Sequence, residues 1–282
     1  MTIKAFNKLS KAERAKLLMS CCGSSTWVDL MLKQFPFADE NGLVDAANDI
    51  WYNQCSSSDW LESFTHHPKI GDVKSLTKKF AGKEQASVAA AAKKTIAALA
   101  DANTEYEAKF GFIFIVCATG KSATEMLRLL EERLGNTIGE ELHIAMGEQI
   151  KITILRFQKL ITEGDWSFIK PGQLTTHVLD TAIGKPGKDI SIRLQIPVNG
   201  AWQTIAQGIT NEDGRLADLL PSQRKLSHGN YKLVFDTGNY FAAKKIKGFY
   251  PEVEIQFIVF DETHYHVPLL INPFGYSTYR GS

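Results

Sequence analysis

The chain has 282 residues, of which 44% are hydrophobic and 22% charged, and a formal net charge of +1. That length suits one large domain or two ordinary ones, and the composition is globular with no low-complexity run. Up to Lys170 there are 21 Lys and Arg against 21 Asp and Glu, and beyond it 11 against 10, so neither half has the basic excess of a nucleic-acid binder.

No apolar run approaches the roughly 18 residues that span a bilayer. The opening "MTIKAFNKLSKAER" lacks the apolar core of a secretory signal, and the closing "YRGS" is not a Ser-Lys-Leu peroxisomal address. The expectation is a soluble, cytoplasmic protein that meets neither membrane nor nucleic acid. Cys21, Cys22, Cys55 and Cys117 show no CxxC spacing, so plain reduced thiols are expected, with neither a redox motif nor a metal site.

Residues up to about Thr162 read as helical. "SKAERAKLLMS" offers Ser10 as an N-cap and has apolar residues at helical spacing. "VDAANDIWYNQC" and "SDWLESF" are amphipathic, and "KEQASVAAAAKKTIAALADANTEYEAKF" is rich in helix formers. "SATEMLRLLEERLGN" opens on a Ser122 to Glu125 capping box and runs to Gly135. "TIGEELHIAMGEQIKITILRFQKLI" is a further long periodic segment. "TEGDWSFIKPGQL" then reads as a short linker.

Beyond it the period changes to two. "DISIRLQIPV" places Ile190, Ile192, Leu194, Ile196 and Val198 on one strand face. "YKLVFDT", "EVEIQFIVF" and "HYHVPLLI" are strand-like, with turn signals at "NEDG", "SHGN", "TGN" and "DE". Short strands at such spacing predict a sandwich or barrel. The expected architecture is an all-α bundle-like domain over residues 1–162, a linker over 163–173, and an all-β domain over 174–282.

In the helical half, "FTHHPKIGD" stands out. A residue before proline is driven out of the α region, so the helix through "DWLESF" ends near Thr65 and leaves His67 extended at its terminus. An imidazole on such a loop is suited to proton transfer near neutral pH, although a solvated loop histidine has the same spacing. Glu84 falls near the start of the Ala-rich helix, where the macrodipole favours a carboxylate. Arg156 lies late on the last long helix, and a surface ion pair is its ordinary role.

Taken in order, "THHPKIGD", "EQ", "FGFIFIVCATGKS" and "KITILRFQKL" resemble the OHCU decarboxylase family over roughly residues 5 to 162. The family converts 2-oxo-4-hydroxy-4-carboxy-5-ureidoimidazoline (OHCU) to (S)-allantoin. The resemblance implies His67 as proton donor and Glu84 as a catalytic carboxylate. It also implies Pro68, Gln85, Phe112, Ile113, Phe114, Ile115, Val116 and Arg156 at the substrate. Ala81 stands where members often carry serine, and Lys121 where arginine is common, which keeps the charge but not the planar fork. The substrate's ring imine can accept the electrons left by carbon dioxide, so no metal or organic cofactor is required.

In the strand half, His177 is placed just ahead of the first strand. Arg215 follows the "NEDG" turn, His264 and His266 share a strand face, and Tyr279 lies near the terminus. Individually these are packing, hairpin and tail residues, and two histidines without a third ligand make no metal site. Together they resemble 5-hydroxyisourate hydrolase, the transthyretin-related enzyme, from about Leu174 to Ser282. The terminal Tyr-Arg-Gly-Ser is characteristic of the enzyme rather than of the hormone carrier. The resemblance implies a transthyretin-like sandwich and a site of His177, Arg215, His266 and Tyr279 at an interface in a homotetramer. It assigns His264 no role.

The two resemblances are chemically consecutive. The strand half would open 5-hydroxyisourate and the helical half would decarboxylate the product, as fused allantoin synthases do. The rival expectation is a transthyretin-like binding module carrying an inactive or scaffolding helical domain.

Overall fold

The computed structural model describes residues 1–67, 86–119, 121–169, 172–221 and 224–281, with side chains at 86–93 excepted. The chain divides into two compact units, Met1–Trp166 and Ser167–Ser282. The first is helical and the second is built on two sheets, as the change of period predicts.

The helical unit begins with α1 (Ile3–Lys8), α2 (Lys11–Cys22) and α3 (Ser25–Leu32). Ser10 caps α2 in a full capping box with Glu13, satisfying amide groups that the first turn leaves free. Gly23 ends α2 in the left-handed region at φ +86°. Then come α4 (Glu40–Asp49), a π-helical turn at Ile50–Gln54, α5 (Ser57–Thr65) and α6 (Ala86–Phe110). The predicted end of a helix at Thr65 is observed.

Ser122 and Glu125 box the start of α7 (Ala123–Arg133) as predicted, and Thr137 and Glu140 box α8 (Ile138–Leu160). Helix α8 is buried nearly all round through its middle, from Glu141 through Ile144, Gln149 and Ile154 to Phe157, which marks it as the central helix of the unit. The indoles of Trp27 and Trp51 are fully buried, and each satisfies its N–H on a backbone carbonyl, of Ala47 and Met146. Among the described residues, no helix is long and apolar enough to cross a membrane.

In the second unit, strand β1 (Leu174–Asp180) is central to one sheet. It pairs antiparallel with β2 (Lys185–Pro186) and β5 (Arg215–Leu216), and parallel with β8 (Tyr265–His266) and β9 (Leu269–Asn272). Strand β10 (Gly275–Thr278) closes the order β10–β9–β1–β2. The second sheet runs β4–β3–β6–β7, using β3 (Ser191–Val198), β4 (Ala201–Ile209), β6 (Gly229–Phe235) and β7 (Val253–Val259). Ile192 and Leu194 of β3 lie beside Phe235 and Leu233 of the same sheet, and with Ile190 they share one fully buried core with Leu174 and Val178 of the other sheet.

Two details differ from the sequence reading. His177 lies inside the first strand, not ahead of it, because "LTTHVLD" alternates two polar threonines and a histidine with apolar residues and gives no clean period. The "TGN" turn signal opens a short helix, α9 (Thr237–Ala243), in an otherwise all-β unit, with Asp236 accepting from the Asn239 amide as its N-cap. Tyr240 of α9 donates to the buried Asp180 carboxylate at 2.9 Å and ties the helix to the end of β1.

Candidate active sites

A pocket of about 330 Å³ opens in the helical unit. His67, the segment Phe114 to Thr119, and Ile152, Leu155, Arg156 and Lys159 of α8 line it. The apolar segment forms neither helix nor strand, so its backbone groups need other partners. The Ile115 carbonyl accepts from Arg133 Nη1 at 2.8 Å, and the Cys117 amide donates to Glu148 Oε2 at 2.7 Å. Buried side chains thus pin this wall from behind.

His67 is held from both ring nitrogens. Nε2 lies 2.5 Å from Gln149 Oε1, and Nδ1 lies 3.5 Å from Arg156 Nη2. Both holding residues are anchored on the C-terminal carbonyls of α2, which a helix end leaves without internal partners. Arg156 Nη1 donates to Cys21 O at 2.9 Å and Ser20 O at 3.3 Å, while Gln149 Nε2 donates to Cys22 O at 3.1 Å. A cation at a helix C-terminus is also favoured by the macrodipole.

Gly23 lets α5 close onto this end. A Cβ there would meet His66 Cβ at 2.8 Å and would sit at a positive φ. The vicinal cysteines contribute backbone rather than thiols, since burial pushes the Cys21 thiol up to about 11 and that of Cys22 to about 12.

Burial, reinforced by the Arg156 charge, lowers the His67 pKa to about 4 despite the opposing Gln149 hydrogen bond. The ring is therefore neutral at physiological pH. His66 is exposed and adds only a small further depression.

In the second unit, strand register assembles a polar cluster. Thr175 pairs with His266, and His177 with Arg215, while Thr176 and Leu174 pair with Leu216 and Tyr265. Because side chains alternate, the first two pairs share the face of β1 opposite the core. Thr175 Oγ1 lies 2.9 Å from both His264 Nε2 and His266 Nδ1, and the two imidazoles stack at 6.4 Å with planes 14° apart.

Arg215 is delivered by the turn before it, in which Asn211 Oδ1 accepts from the amides of Asp213 and Arg215. Gly214 completes the turn at φ +70°. Burial and the Arg215 charge lower the His177 pKa, and burial with His264, Arg215 and His177 lowers that of His266. Both rings favour the neutral form, which can accept a proton. Gly281 N donates to His266 O at 2.9 Å, and Arg280 lies over the Tyr265 ring at 5.1 Å, so the chain terminus packs beside His266.

Residues 7–158 match the OHCU decarboxylase family and residues 174–281 the HIUase/transthyretin family. The chain is 34% identical over 317 aligned positions to the uric acid degradation bifunctional protein TTL of Arabidopsis thaliana, covering 93% of this chain and 96% of that protein. The chain belongs to the family of bifunctional uric acid degradation proteins. Its second unit is also 47% identical over 116 residues to 5-hydroxyisourate hydrolase of Ralstonia nicotianae, spanning 39% of this chain and 99% of that protein. A crystal structure of (S)-allantoin synthase aligns over 100% of both chains at 27% identity, with a TM-score of 0.43.

In this bifunctional-family chain the structure brings together His67 and Arg156, with Phe114, Ile115 and Val116 at the same pocket. Phe112 faces instead into an aromatic cluster, with its ring 5.4 Å from Phe64 and 5.9 Å from Tyr106, and Ile113 does not line the pocket. Pro68, Ala81, Glu84 and Gln85 lie outside the described residues. His177, Arg215 and His266 converge on one sheet face, whereas Tyr279 is 58% exposed on the isolated chain.

Sequence reasoning missed Gln149 and Thr175. The signal for Gln149 was a polar residue inside the apolar stripe of a long helix, and that for Thr175 was its two-residue spacing from His177.

Proposed function

We propose that this chain carries out two consecutive steps of urate breakdown. The second unit hydrolyses 5-hydroxyisourate to OHCU, and the first decarboxylates OHCU to (S)-allantoin. His67, held by two residues anchored on one helix end, and Arg156 beside it, both lining a pocket with a pinned apolar wall, are the observation that carries this reading.

Hydrolysis of the cyclic amide needs a base for water and a positive group for the developing oxyanion. His177 and His266, neutral as built, supply the base, and Arg215 across the β1–β5 pair supplies the charge. Tyr279 serves as a hydrogen-bond donor once a second subunit covers it.

In the decarboxylation, the bond to the departing carbon dioxide breaks and its electron pair enters the ring imine, whose nitrogen takes up a proton from solvent. A proton must then reach the adjacent ring carbon on one face. A neutral imidazole has to gain a proton before it gives one, so His67 works as a shuttle, taking a proton from the substrate hydroxyl and returning it to carbon. Arg156 holds the anionic substrate. The wall from Phe114 to Val116 completes the substrate pocket, Pro68 and Gln85 contact the substrate, and Glu84 orients the ligand.

The chain acts in the cytoplasm as a homo-oligomer, a tetramer through the second unit, with residues 163–173 as the linker. Supporting the assembly, the outermost strands of the two sheets expose apolar side chains at or just beyond their ends. Ile258 is 47% exposed, Phe260 63% and Tyr276 44%.

The test is to supply freshly made 5-hydroxyisourate to the purified chain and follow circular dichroism. Rapid appearance of one enantiomer is expected. Racemic allantoin formed at the uncatalysed rate overturns the reading.

A further inference from the structure

The two nitrogens of His67 face different chemistry, and the difference is fixed by a residue that does not touch the pocket. Gln149 sits in the middle of α8 with no exposed surface. Its amide nitrogen donates to Cys22 O at 3.1 Å and to Thr153 Oγ1 at 3.3 Å. The one hydrogen of the Thr153 hydroxyl has the carbonyls of Gln149, at 3.2 Å, and Cys21, at 3.4 Å, as acceptors, so its oxygen is left to accept from Gln149. With acceptors on the nitrogen side, the Gln149 amide has one orientation, and its oxygen faces His67 Nε2. That ring nitrogen must therefore carry a hydrogen.

Nδ1 faces Arg156 Nη2, a group that can only donate. Nδ1 must present a lone pair. The two requirements agree on a single neutral tautomer, protonated at Nε2. His67 and Arg156 line the pocket and Gln149 does not, so Nδ1 is the nitrogen on the ligand side.

We infer that Gln149 is a positioning residue that locks His67 as the Nε2–H tautomer and so makes Nδ1 the atom through which the proton passes. The second half of this statement rests on the proposed decarboxylation, whereas the tautomer does not. The choice of amide over carboxylate follows. A buried glutamate at this position would pair with the imidazolium and keep the ring charged, whereas glutamine satisfies Nε2–H without adding charge. Among the described residues, the groups facing His67 are Arg156 from α8 and the neighbouring His66, with the Cys21 thiol lying against Arg156. None of them supplies a compensating negative charge.

The experiment is nitrogen-15 NMR of the histidine rings in the full-length protein without ligand, with His67→Gln used to assign the His67 signals. The wild type is expected to show His67 protonated at Nε2 and neutral throughout pH 6 to 8. Gln149→Glu should move the ring's titration up into the neutral range and shift the pH–rate profile of decarboxylation with it. Gln149→Leu should give a mixture of tautomers and slow decarboxylation by about 10²-fold, the lower end of what a positioned acid–base group contributes. Ring opening by the second unit should be unchanged in both variants.

A wild-type ring protonated at Nδ1, or a Gln149→Glu chain with an unmoved ring titration, overturns the inference, and the wild-type measurement decides it even where a variant fails to fold. A chain with the Nε2–H ring that makes no (S)-allantoin overturns the decarboxylase reading and leaves the tautomer intact.

Discussion

Arg133 and Glu141 form an ion pair sealed inside the helical unit, with Arg133 Nε donating to Glu141 Oε1 at 2.8 Å and neither residue more than 1% exposed. Further hydrogen bonds surround the pair. Arg133 also donates to the Ile115 carbonyl, and Tyr106 and Asn136 donate to Glu141. The pair thus connects the start of α8 to the wall of the pocket. Removing one partner strands a buried charge, a loss of about 3–5 kcal/mol. Arg133→Leu is expected to lower stability by that order in chemical denaturation, and also to free the Ile115 carbonyl. At temperatures where the variant stays folded, decarboxylation should fall while ring opening persists. Denaturation midpoints equal to wild type would show that the pair contributes nothing.

The His67 environment predicts a stability that depends on acidity. Its folded pKa is about 4 against an ordinary 6.5, so between these values the unfolded chain binds the proton and the folded chain does not. Stability therefore rises with pH through this window, and it is lost as pH falls from about 6.5 toward 4. At most roughly 3 kcal/mol is linked to this residue. His177 and His266 are shifted the same way and add to the slope. A His67→Gln chain should lose less stability than wild type between pH 6.5 and 4 in denaturant titrations. Parallel loss in the two proteins would place the proton elsewhere.

Much of this was legible in the sequence, and the reasons are local. Ser10 and Ser122 fix helix starts through backbone chemistry that short motifs record, and "HP" ends a helix through the steric demand of a proline ring. His67, Arg156 and Arg215 were singled out by the family resemblance of the motifs around them, since spacing alone fits ordinary loop, ion-pair and hairpin roles. Gln149 was not, because its role depends on the carbonyl of Cys22, which is 127 positions away. Thr175 was hidden for the same reason, since register with His266, 91 positions on, gives it meaning. Position in a strand was misjudged for His177 because polar residues at 175–177 break the alternation that marks a strand.

Gly214 places Arg215, and the geometry leaves no room for a side chain. A Cβ would come within 2.4 Å of the Val178 carbonyl oxygen, at a φ of +70° that other residues rarely adopt. Gly214→Ala should therefore shift the turn and pull Arg215 from its register opposite His177. Hydrolysis of 5-hydroxyisourate should fall by at least 10-fold, the scale of a misaligned charge-stabilising group. Decarboxylation of separately supplied OHCU should be unaffected. Unchanged ring-opening kinetics would mean that Arg215 needs no such placement.

The division of labour between the two units gives the sharpest separation. His67 lies in the unit Met1–Trp166 and His266 in Ser167–Ser282, and each is bound into its own hydrogen-bond network. His67→Asn should leave the absorbance decay of 5-hydroxyisourate fast while abolishing the dichroic signal of (S)-allantoin, so OHCU accumulates and decays to racemate. His266→Asn should do the reverse, slowing the first phase by about 10²-fold or more, as expected for loss of a general base. Once OHCU forms spontaneously, it should still be converted to the single enantiomer. Mixing the two variants should restore both phases, since each supplies the step the other lacks. If either variant retained both activities, the corresponding histidine would be no part of its site.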